Sequence, residues 1–185
     1  MNTLMTTLWI SRLIPLTATC ALVLGAASPV SAATPAQALR TQAKELMAPL
    51  PERMPGGEND TPVMVKLGEK LFSDKILSVN KTISCNTCHA VDQKKFGVDG
   101  EPTSDGALGK KGDRNSPTVL NAGFHFVQFW DGRAPDLAEQ AKGPILNPVE
   151  MAMPSEAEVV KRLKTSRDYP ALFGKAFPDA TEPVT

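Results

Sequence analysis

Ser84-Cys85-Asn86-Thr87-Cys88-His89 is the segment from which the fold of this 185-residue chain is inferred. Two cysteines separated by two residues and followed directly by histidine form the C-x-x-C-H pattern for covalent attachment of a c-type haem. In this pattern each thiol forms a thioether with a haem vinyl group, and the histidine ligates the iron on one face. We therefore predict that Cys85 and Cys88 tether one haem c and that His89 is its proximal iron ligand.

The same pattern has two other interpretations, half of a zinc site and a disulfide redox pair. A structural zinc site needs four ligands, and the only further cysteine and histidine in the chain are Cys20 and His125. A redox C-x-x-C pair is typical of folds in which strands and helices alternate, and no such alternation is visible here. Haem attachment is the preferred interpretation.

The composition is that of one globular domain without an evident charged partner. A chain of 185 residues is long enough for one domain with a real core. Basic and acidic residues both number 20, and no block of one sign suggests nucleic acid or an anionic membrane as a partner. The 16 prolines and 13 glycines indicate much irregular backbone between modest helices.

Residues 1–33 are typical of a secretory signal peptide. Arg12 supplies the positive charge, the apolar run from Leu13 to Ala27 follows it, and Val30-Ser31-Ala32 supplies small residues for cleavage. An uncleaved membrane anchor is the alternative. We expect a cleaved leader over 1–33, export to the periplasm, where c-type haem is attached, and a c-type cytochrome domain over 34–185.

The mature chain predicts five helices. Apolar residues recur at helical spacing at Val63, Leu67 and Leu71, after a first-turn proline. Ser155 and Glu158 have the spacing of a capping box. The five predicted helices span residues 36–47, 62–72, 134–142, 155–164 and 169–177.

Long irregular loops separate these helices. Residues 90–115 and 144–154 carry no apolar periodicity, and loops of such length are usually functional or mobile. Residues 118–130 alternate only partly, which is insufficient for a strand. The fold class is therefore mainly α.

Five further strings carry a family resemblance, and they are long and specific. They are Leu67-Gly68-Glu69-Lys70-Leu71-Phe72-Ser73-Asp74, Arg114-Asn115-Ser116-Pro117-Thr118-Val119-Leu120-Asn121-Ala122, Gln128-Phe129-Trp130-Asp131-Gly132-Arg133-Ala134, residues 137–144, and Asn147-Pro148-Val149-Glu150-Met151. With the haem motif, they make nearly all of the mature chain resemble the bacterial di-haem cytochrome c peroxidases and their MauG-like relatives.

The resemblance implies a cytochrome c-like haem domain that forms one half of the family's architecture. In that family the N-terminal domain carries the peroxidatic haem. A second C-x-x-C-H domain carries a high-potential haem, which receives electrons from a small cytochrome or cupredoxin. This chain has one C-x-x-C-H motif and matches the first domain alone. A second haem domain or subunit is therefore an expected partner.

The resemblance also implies roles for individual residues. Glu150 matches the distal glutamate that shuttles a proton during peroxide cleavage, and Gln140 matches a glutamine that orients peroxide. Trp130 matches the tryptophan that lies between the two haems and aids electron passage. From the residues alone, Glu150 could equally be a solvated carboxylate, Gln140 a surface helix residue, and Trp130 a core residue packed against Phe126 and Phe129.

Two positions concern metal ligation. Asn115 matches a ligand of the family's calcium site, so calcium is a candidate second cofactor. Ala107 stands where many family members carry a histidine that caps the iron, and this loop has no histidine. The iron is therefore open, which we favour, or it is capped from elsewhere in the chain. The candidate caps are His125, which we expect to pack beside the aromatic cluster, and the thioethers of Met47, Met54, Met64, Met151 and Met153.

The expected function is reduction of hydrogen peroxide to water by an exported haem peroxidase. Its electrons would come from a small c-type cytochrome or cupredoxin. Three alternatives stay open: a mono-haem electron-transfer cytochrome, a MauG-like oxidase that acts on a protein substrate, and a half-enzyme that lacks its electron source.

Overall fold

The structure, a computed structural model, describes residues 34–92 and 94–185. The predicted signal peptide at 1–33 lies outside the described residues. The chain divides into two units, Met1–Pro49 and Leu50–Thr185. In the first unit, helix α1 (Pro35–Leu46) begins at Thr34, whose hydroxyl accepts a hydrogen bond from the backbone N–H of Gln37. The Gln37 side chain accepts one from the Thr34 N–H in return, so the helix starts with a complete capping box.

The second unit consists of short helices and irregular segments. Its α-helices are α2 (Pro62–Ser73), α3 (Cys85–Cys88), α4 (Leu137–Leu146), α5 (Glu156–Lys164) and α6 (Tyr169–Ala176), with 3-10 turns at Lys75–Leu77 and Ala122–Phe124. The described residues contain two isolated bridges, Asp105 with Lys111 and Gln128 with Ala134, and no strand. The mainly α class is thus confirmed. None of the helices in 34–92 or 94–185 has both the length and the apolar character needed to cross a bilayer.

Helix α4 differs from its prediction, which placed a helix over 134–142. It begins three residues later because Asp136 is the cap, with its carboxylate accepting from the Glu139 N–H at 2.8 Å. It also continues to Leu146, through Pro144, where a loop was predicted. A proline within a helix removes one backbone hydrogen bond, and α4 accommodates this loss in its last turn.

The predicted capping box of α5 is only half present. The Ser155 hydroxyl accepts from the Glu158 N–H at 3.2 Å, as expected of the N-cap. The Glu158 carboxylate lies instead against Lys161, with 3.4 Å between Nζ and Oε2. The helix therefore starts where the sequence predicts, with a cap that is not reciprocal.

The core lies between α2, α5 and α6. Its buried members are Leu67, Leu77, Met151, Leu163, Tyr169, Ala176 and Val184. Leu71 and Met64 pack against it, whereas Val63 is 42% exposed, so the apolar face of α2 is displaced from the predicted stripe. Met151 is not in a helix, and its burial anchors the loop that follows α4 in the core.

Leu67→Ala is expected to destabilise the protein by about 2–5 kcal/mol, because it leaves a cavity at a site only 5% exposed. Urea unfolding of the full-length protein measures the change. Val65→Ala on the same helix is the matched control, since Val65 is 58% exposed and its truncation should change stability by about 0.5 kcal/mol or less. Equal losses in the two variants would contradict the assignment of this core.

Candidate haem-binding active site

Helix α3 is a single turn that carries both cysteines. The Ser84 N–H donates to the Thr87 hydroxyl at 2.9 Å, which ties the start of the turn to its third residue. Cys85 and Cys88 are three residues apart in this turn, so their side chains lie on the same helical face. Both thiols are free and half-buried. This arrangement presents two sulfur atoms side by side to one bound group.

His89 ends α3 and has a preset orientation. Its Nδ1 lies 3.0 Å from the carbonyl oxygen of Pro117. A carbonyl can only accept, so Nδ1 carries the proton and the lone pair of Nε2 is free to bind a metal. Metal-ligating histidines usually make such a second hydrogen bond. The donor set of two thiols and one oriented imidazole therefore fits a covalently attached haem.

The acidity of the thiols argues against a redox pair. Burial raises the pKa of Cys85 and of Cys88 above the ordinary value. At Cys88 a hydrogen bond with Ser104 lowers the pKa, and nearby carboxylates raise it, Glu150 among them. Reactive redox cysteines have lowered pKa values, and at both thiols burial shifts the pKa in the opposite direction. In the described part of the chain, no three His, Cys, Asp or Glu side chains converge as a metal site either.

Glu150 ends a tight turn that fixes its carboxylate. Asn147 accepts from the Val149 N–H at 3.1 Å through its side-chain oxygen, and its amide nitrogen donates to Glu150 Oε1 at 2.6 Å. The Glu150 N–H donates to the Asn147 carbonyl at 3.0 Å. Met151, the next residue, is buried in the core. The carboxylate is thus held at both its backbone and its side chain.

The loop after the haem motif packs directly on this turn. The Ala107 N–H donates to the Glu150 carbonyl at 2.7 Å. A Cβ at Gly106 would collide with the Val149 carbonyl, so only glycine permits this approach. Because Glu150 is also close enough to raise the pKa of Cys88, the structure brings the haem motif, Ala107 and Glu150 together.

Gln140 lies apart from these contacts. It is half-buried on α4, and its amide group makes no hydrogen bond within the described residues. The end of α4 is nevertheless tied to the Glu150 turn, because the Met151 N–H donates to the Pro144 carbonyl at 3.1 Å. The role of Gln140 in orienting peroxide stays a prediction.

Trp130 and Asn115 meet at the surface. The Trp130 indole N–H donates to the Asn115 carbonyl at 3.0 Å. Trp130 is 61% exposed and Phe126 is 92% exposed, so the alternative of core packing for Trp130 is not what the structure shows. His125 is exposed as well, and its expected packing beside the aromatic residues stays a prediction. The predicted role of Trp130 in electron passage stays a prediction.

Asp131 organises the turn that carries Trp130. Arg114, at 3.1 Å, and Arg133, at 2.8 Å, both pair with its carboxylate and lower the pKa of Asp131 to about 2. The Arg133 guanidinium also lies 3.4 Å from the centre of the Phe129 ring. Phe129 has a φ of 66°, a left-handed conformation that is uncommon for a bulky residue. These contacts hold the chain in that conformation.

The residues around Asn115 do not make a complete calcium site by themselves. Asn115 lines a surface depression with Asp99 and Glu101. The Asp99 carboxylate already accepts from the Ser104 hydroxyl at 2.6 Å. Calcium takes about six to eight oxygen ligands, which is more than these side chains offer. Calcium at Asn115 stays a prediction, and no step of the mechanism passes through it.

The candidate iron caps fall into two groups. Met151 belongs to the core, Met64 packs against it, and Met153 is 2% exposed. Met54 packs against Gly123 without room for a Cβ between them, and Met47 is 66% exposed in the other unit. Packing in the core accounts for the burial of Met151, and packing against it for the partial burial of Met64.

Sequence reasoning missed three contributors to the site. Asn147 had a signal, since an asparagine before proline favours a turn in which its side chain bonds the backbone two residues on. Gly106 had a weaker signal. It directly precedes Ala107, which stands where many family members carry the capping histidine. The Pro117 carbonyl had no sequence signal. It lies 28 residues from His89 and is a backbone group, which every residue type has.

Comparisons with known proteins agree with this geometry. The family model of di-haem cytochrome c peroxidases matches residues 62–185. The cytochrome c551 peroxidase of Pseudomonas aeruginosa is 46% identical over 177 residues, covering 95% of this chain and 49% of the relative. The methylamine utilization protein MauG of Paracoccus denitrificans is 43% identical over 140 residues, covering 64% of this chain and 36% of MauG.

The fold is shared with solved structures as well. A MauG-like protein associated with microbial copper homeostasis superposes with a TM-score of 0.65 at 34% identity, over 74% of this chain and 41% of that one. The chain therefore spans about half, or less, of the relatives it matches. On the sequence match, the shared fold and the geometry around Cys85, Cys88 and His89, the chain belongs to the di-haem cytochrome c peroxidase family.

Proposed function

We propose that this chain forms the peroxide-reducing haem domain of a periplasmic cytochrome c peroxidase. The observation that carries the proposal is the position of Glu150. Its carboxylate is held by the Asn147 amide at 2.6 Å, and its backbone carbonyl accepts at 2.7 Å from Ala107, in the loop that follows the haem-attachment turn. A solvated loop carboxylate would have no need of these restraints.

Cys85 and Cys88 would hold the haem covalently, and His89 would ligate its iron through Nε2. The haem would supply a site for peroxide and the electrons that cleave its O–O bond. The chain supplies the rest of the chemistry. Its part is to orient the imidazole through the Pro117 carbonyl and to provide a proton-transfer group in Glu150.

Glu150 would move the proton. Its carboxylate accepts the proton of the near peroxide oxygen and returns it to the far oxygen, which leaves as water. The Asn147 amide, which donates to Glu150 Oε1 at 2.6 Å, leaves Oε2 for this exchange. The overall reaction consumes one hydrogen peroxide, two electrons and two protons and yields two waters. Gln140 would orient the peroxide.

Ala107 would leave the peroxide side of the iron free. Its backbone lies on the Glu150 carbonyl, where the family resemblance places a capping histidine, and a methyl group cannot ligate iron. Activity would then need no prior release of a ligand. Trp130 would assist electron entry, from a small c-type cytochrome or cupredoxin and by way of a second haem domain or subunit.

The ferric electron paramagnetic resonance spectrum of the mature, haem-loaded chain tests this proposal. We expect a high-spin signal that is lost on adding hydrogen peroxide and restored by a reduced cytochrome donor, because an open site reacts without activation. Restoration by the donor distinguishes turnover from bleaching of the haem. A fully low-spin signal that does not respond to peroxide would contradict the open site and favour an electron-transfer cytochrome.

A MauG-like oxidase is the second candidate, favoured by the 43% identity to MauG of Paracoccus denitrificans. Such a protein would take electrons from a protein substrate instead of a small donor. Stoichiometry separates the two candidates. Oxidation of two donor cytochromes per peroxide supports the peroxidase, and peroxide consumption linked only to protein oxidation supports the alternative.

A further inference from the structure

Arg162 of α5 reaches three backbone carbonyls of the turn that precedes the haem motif. Its Nη1 lies 3.0 Å from the Ile76 oxygen and 2.7 Å from the Ser78 oxygen, and its Nη2 lies 3.2 Å from the Val79 oxygen. Among the described residues, no carboxylate pairs with this guanidinium. The planar fork of arginine can hold several acceptors at once, which the ammonium of lysine cannot do in the same geometry.

Leu77 anchors the turn at residues 76–79 in the core, and the other bonds of the turn are local. Ser78 is fully buried, and its hydroxyl donates to the Lys75 carbonyl at 3.1 Å and accepts from the Ile83 N–H at 3.3 Å. These hydrogen bonds close the turn on itself, and the hydrogen bonds that tie its backbone to α5 come from Arg162. Arg162 makes that connection across more than 80 residues of sequence.

The turn and the residue after it, Asn80, hold the backbone at Glu150 and Met151. The Val79 N–H donates to the Met151 carbonyl at 2.9 Å, one residue after Glu150. The Asn80 amide nitrogen donates to the Ala107 carbonyl, and the Ala107 N–H donates in turn to the Glu150 carbonyl at 2.7 Å. The two paths therefore reach adjacent carbonyls, that of Met151 and that of Glu150 itself.

We propose that Arg162 is a positioning residue for Glu150, acting through the 76–79 turn, Asn80 and Ala107. The inference rests on the proposed role of Glu150 in proton transfer. It assigns to α5 a function in the reaction beyond its packing, since a small displacement of a proton-transfer group strongly reduces the rate.

Two measurements on the full, haem-loaded chain test the proposal. Both are made on the variants Arg162→Met and Arg162→Lys. The three hydrogen bonds from Arg162 to the turn are called the clamp below. Hydrogen exchange at the amides of Val79 and Ala107 measures directly how firmly the clamp holds the backbone. We expect faster exchange in both variants. The rate of reaction with hydrogen peroxide should fall on the order of 10- to 100-fold. Lys161→Met, one residue earlier on α5 and exposed, is the control and should change neither quantity.

A double-mutant cycle with Glu150→Gln separates positioning from general destabilisation. If Arg162 acts through Glu150, Arg162→Met should have little further effect on the peroxide rate in the Glu150→Gln background. Additive losses, or a lower melting temperature with an unchanged rate, would overturn the proposal. Asn80→Ala breaks the same path at an exposed residue and keeps the test decisive should Arg162→Met fail to fold.

The cycle also separates this proposal from the proposed function. A Glu150→Gln variant that reacts at the wild-type rate contradicts the role of Glu150 in peroxide reduction. Unchanged exchange at Ala107 in both Arg162 variants contradicts the clamp, whatever the rate of the Glu150 variant.

Discussion

Glu150→Gln is expected to slow the reaction of the haem-loaded protein with hydrogen peroxide by about 10²- to 10⁴-fold, the usual contribution of a positioned proton-transfer group. Glutamine has nearly the same shape and can still accept the 2.6 Å hydrogen bond from the Asn147 amide. It cannot carry a proton from one peroxide oxygen to the other. The substitution therefore removes the chemistry and keeps the turn.

Stopped-flow absorbance at the main haem band, with the rate expressed per haem, measures this effect. Glu69→Gln on α2 is the matched control, because Glu69 is an exposed glutamate away from the turn. Hydrogen exchange at Ala107 should be unchanged in the Glu150 variant, which would show that the loop still packs on the Glu150 carbonyl. A rate within about threefold of the wild type, far below the expected loss, would exclude Glu150 as the proton shuttle.

The double variant Cys85→Ser/Cys88→Ser is expected to lose all covalently bound haem. Serine preserves the one-turn helix but cannot form the thioethers. Each single variant retains one attachment point, so we expect partial haem loading with a shifted absorption band. Burial raises the pKa of both thiols, which is opposite to the shift typical of a redox thiolate.

Mass spectrometry of the denatured protein measures the covalent haem. Thr87→Ser, between the two cysteines, is the control, since it preserves the hydroxyl that accepts from the Ser84 N–H at 2.9 Å. Haem that survives denaturation in the double variant would contradict the attachment sites. Zinc in stoichiometric amounts, with no haem in the wild type, would support the zinc interpretation instead.

The sequence predicts the helices that have clear local signals. Pro62 and Ser155 mark the starts of α2 and α5, and both helices begin there because a cap acts within one turn. The start of α4 was misplaced because Asp136 was not recognised as a cap. The choice of buried face on α2 was also beyond the local pattern, since Met64 and Val63 are both apolar and the tertiary packing of α2 determines which of them is covered.

The site also contains residues that the sequence predicts and residues that it does not. The motif itself identifies Cys85, Cys88 and His89, because covalent attachment needs those residue types at that spacing. The carbonyls that accept from His89 and Arg162 belong to residues 28 and more than 80 positions away. Backbone groups are present at every residue, so their use in a site follows from the tertiary fold and not from composition.

The hydrogen bond between His89 and Pro117 makes the orientation of His89 independent of the length of the loop between them. It joins the two ends of a loop, and Leu108 and Gly109 lie exposed at the far side of that loop. The entropic cost of closing a loop rises by only about 0.6 kcal/mol when its length doubles. Residues can therefore be gained or lost at this exposed point while the imidazole keeps its acceptor. We therefore expect insertions at this point of the chain to leave the imidazole of His89 oriented by the Pro117 carbonyl.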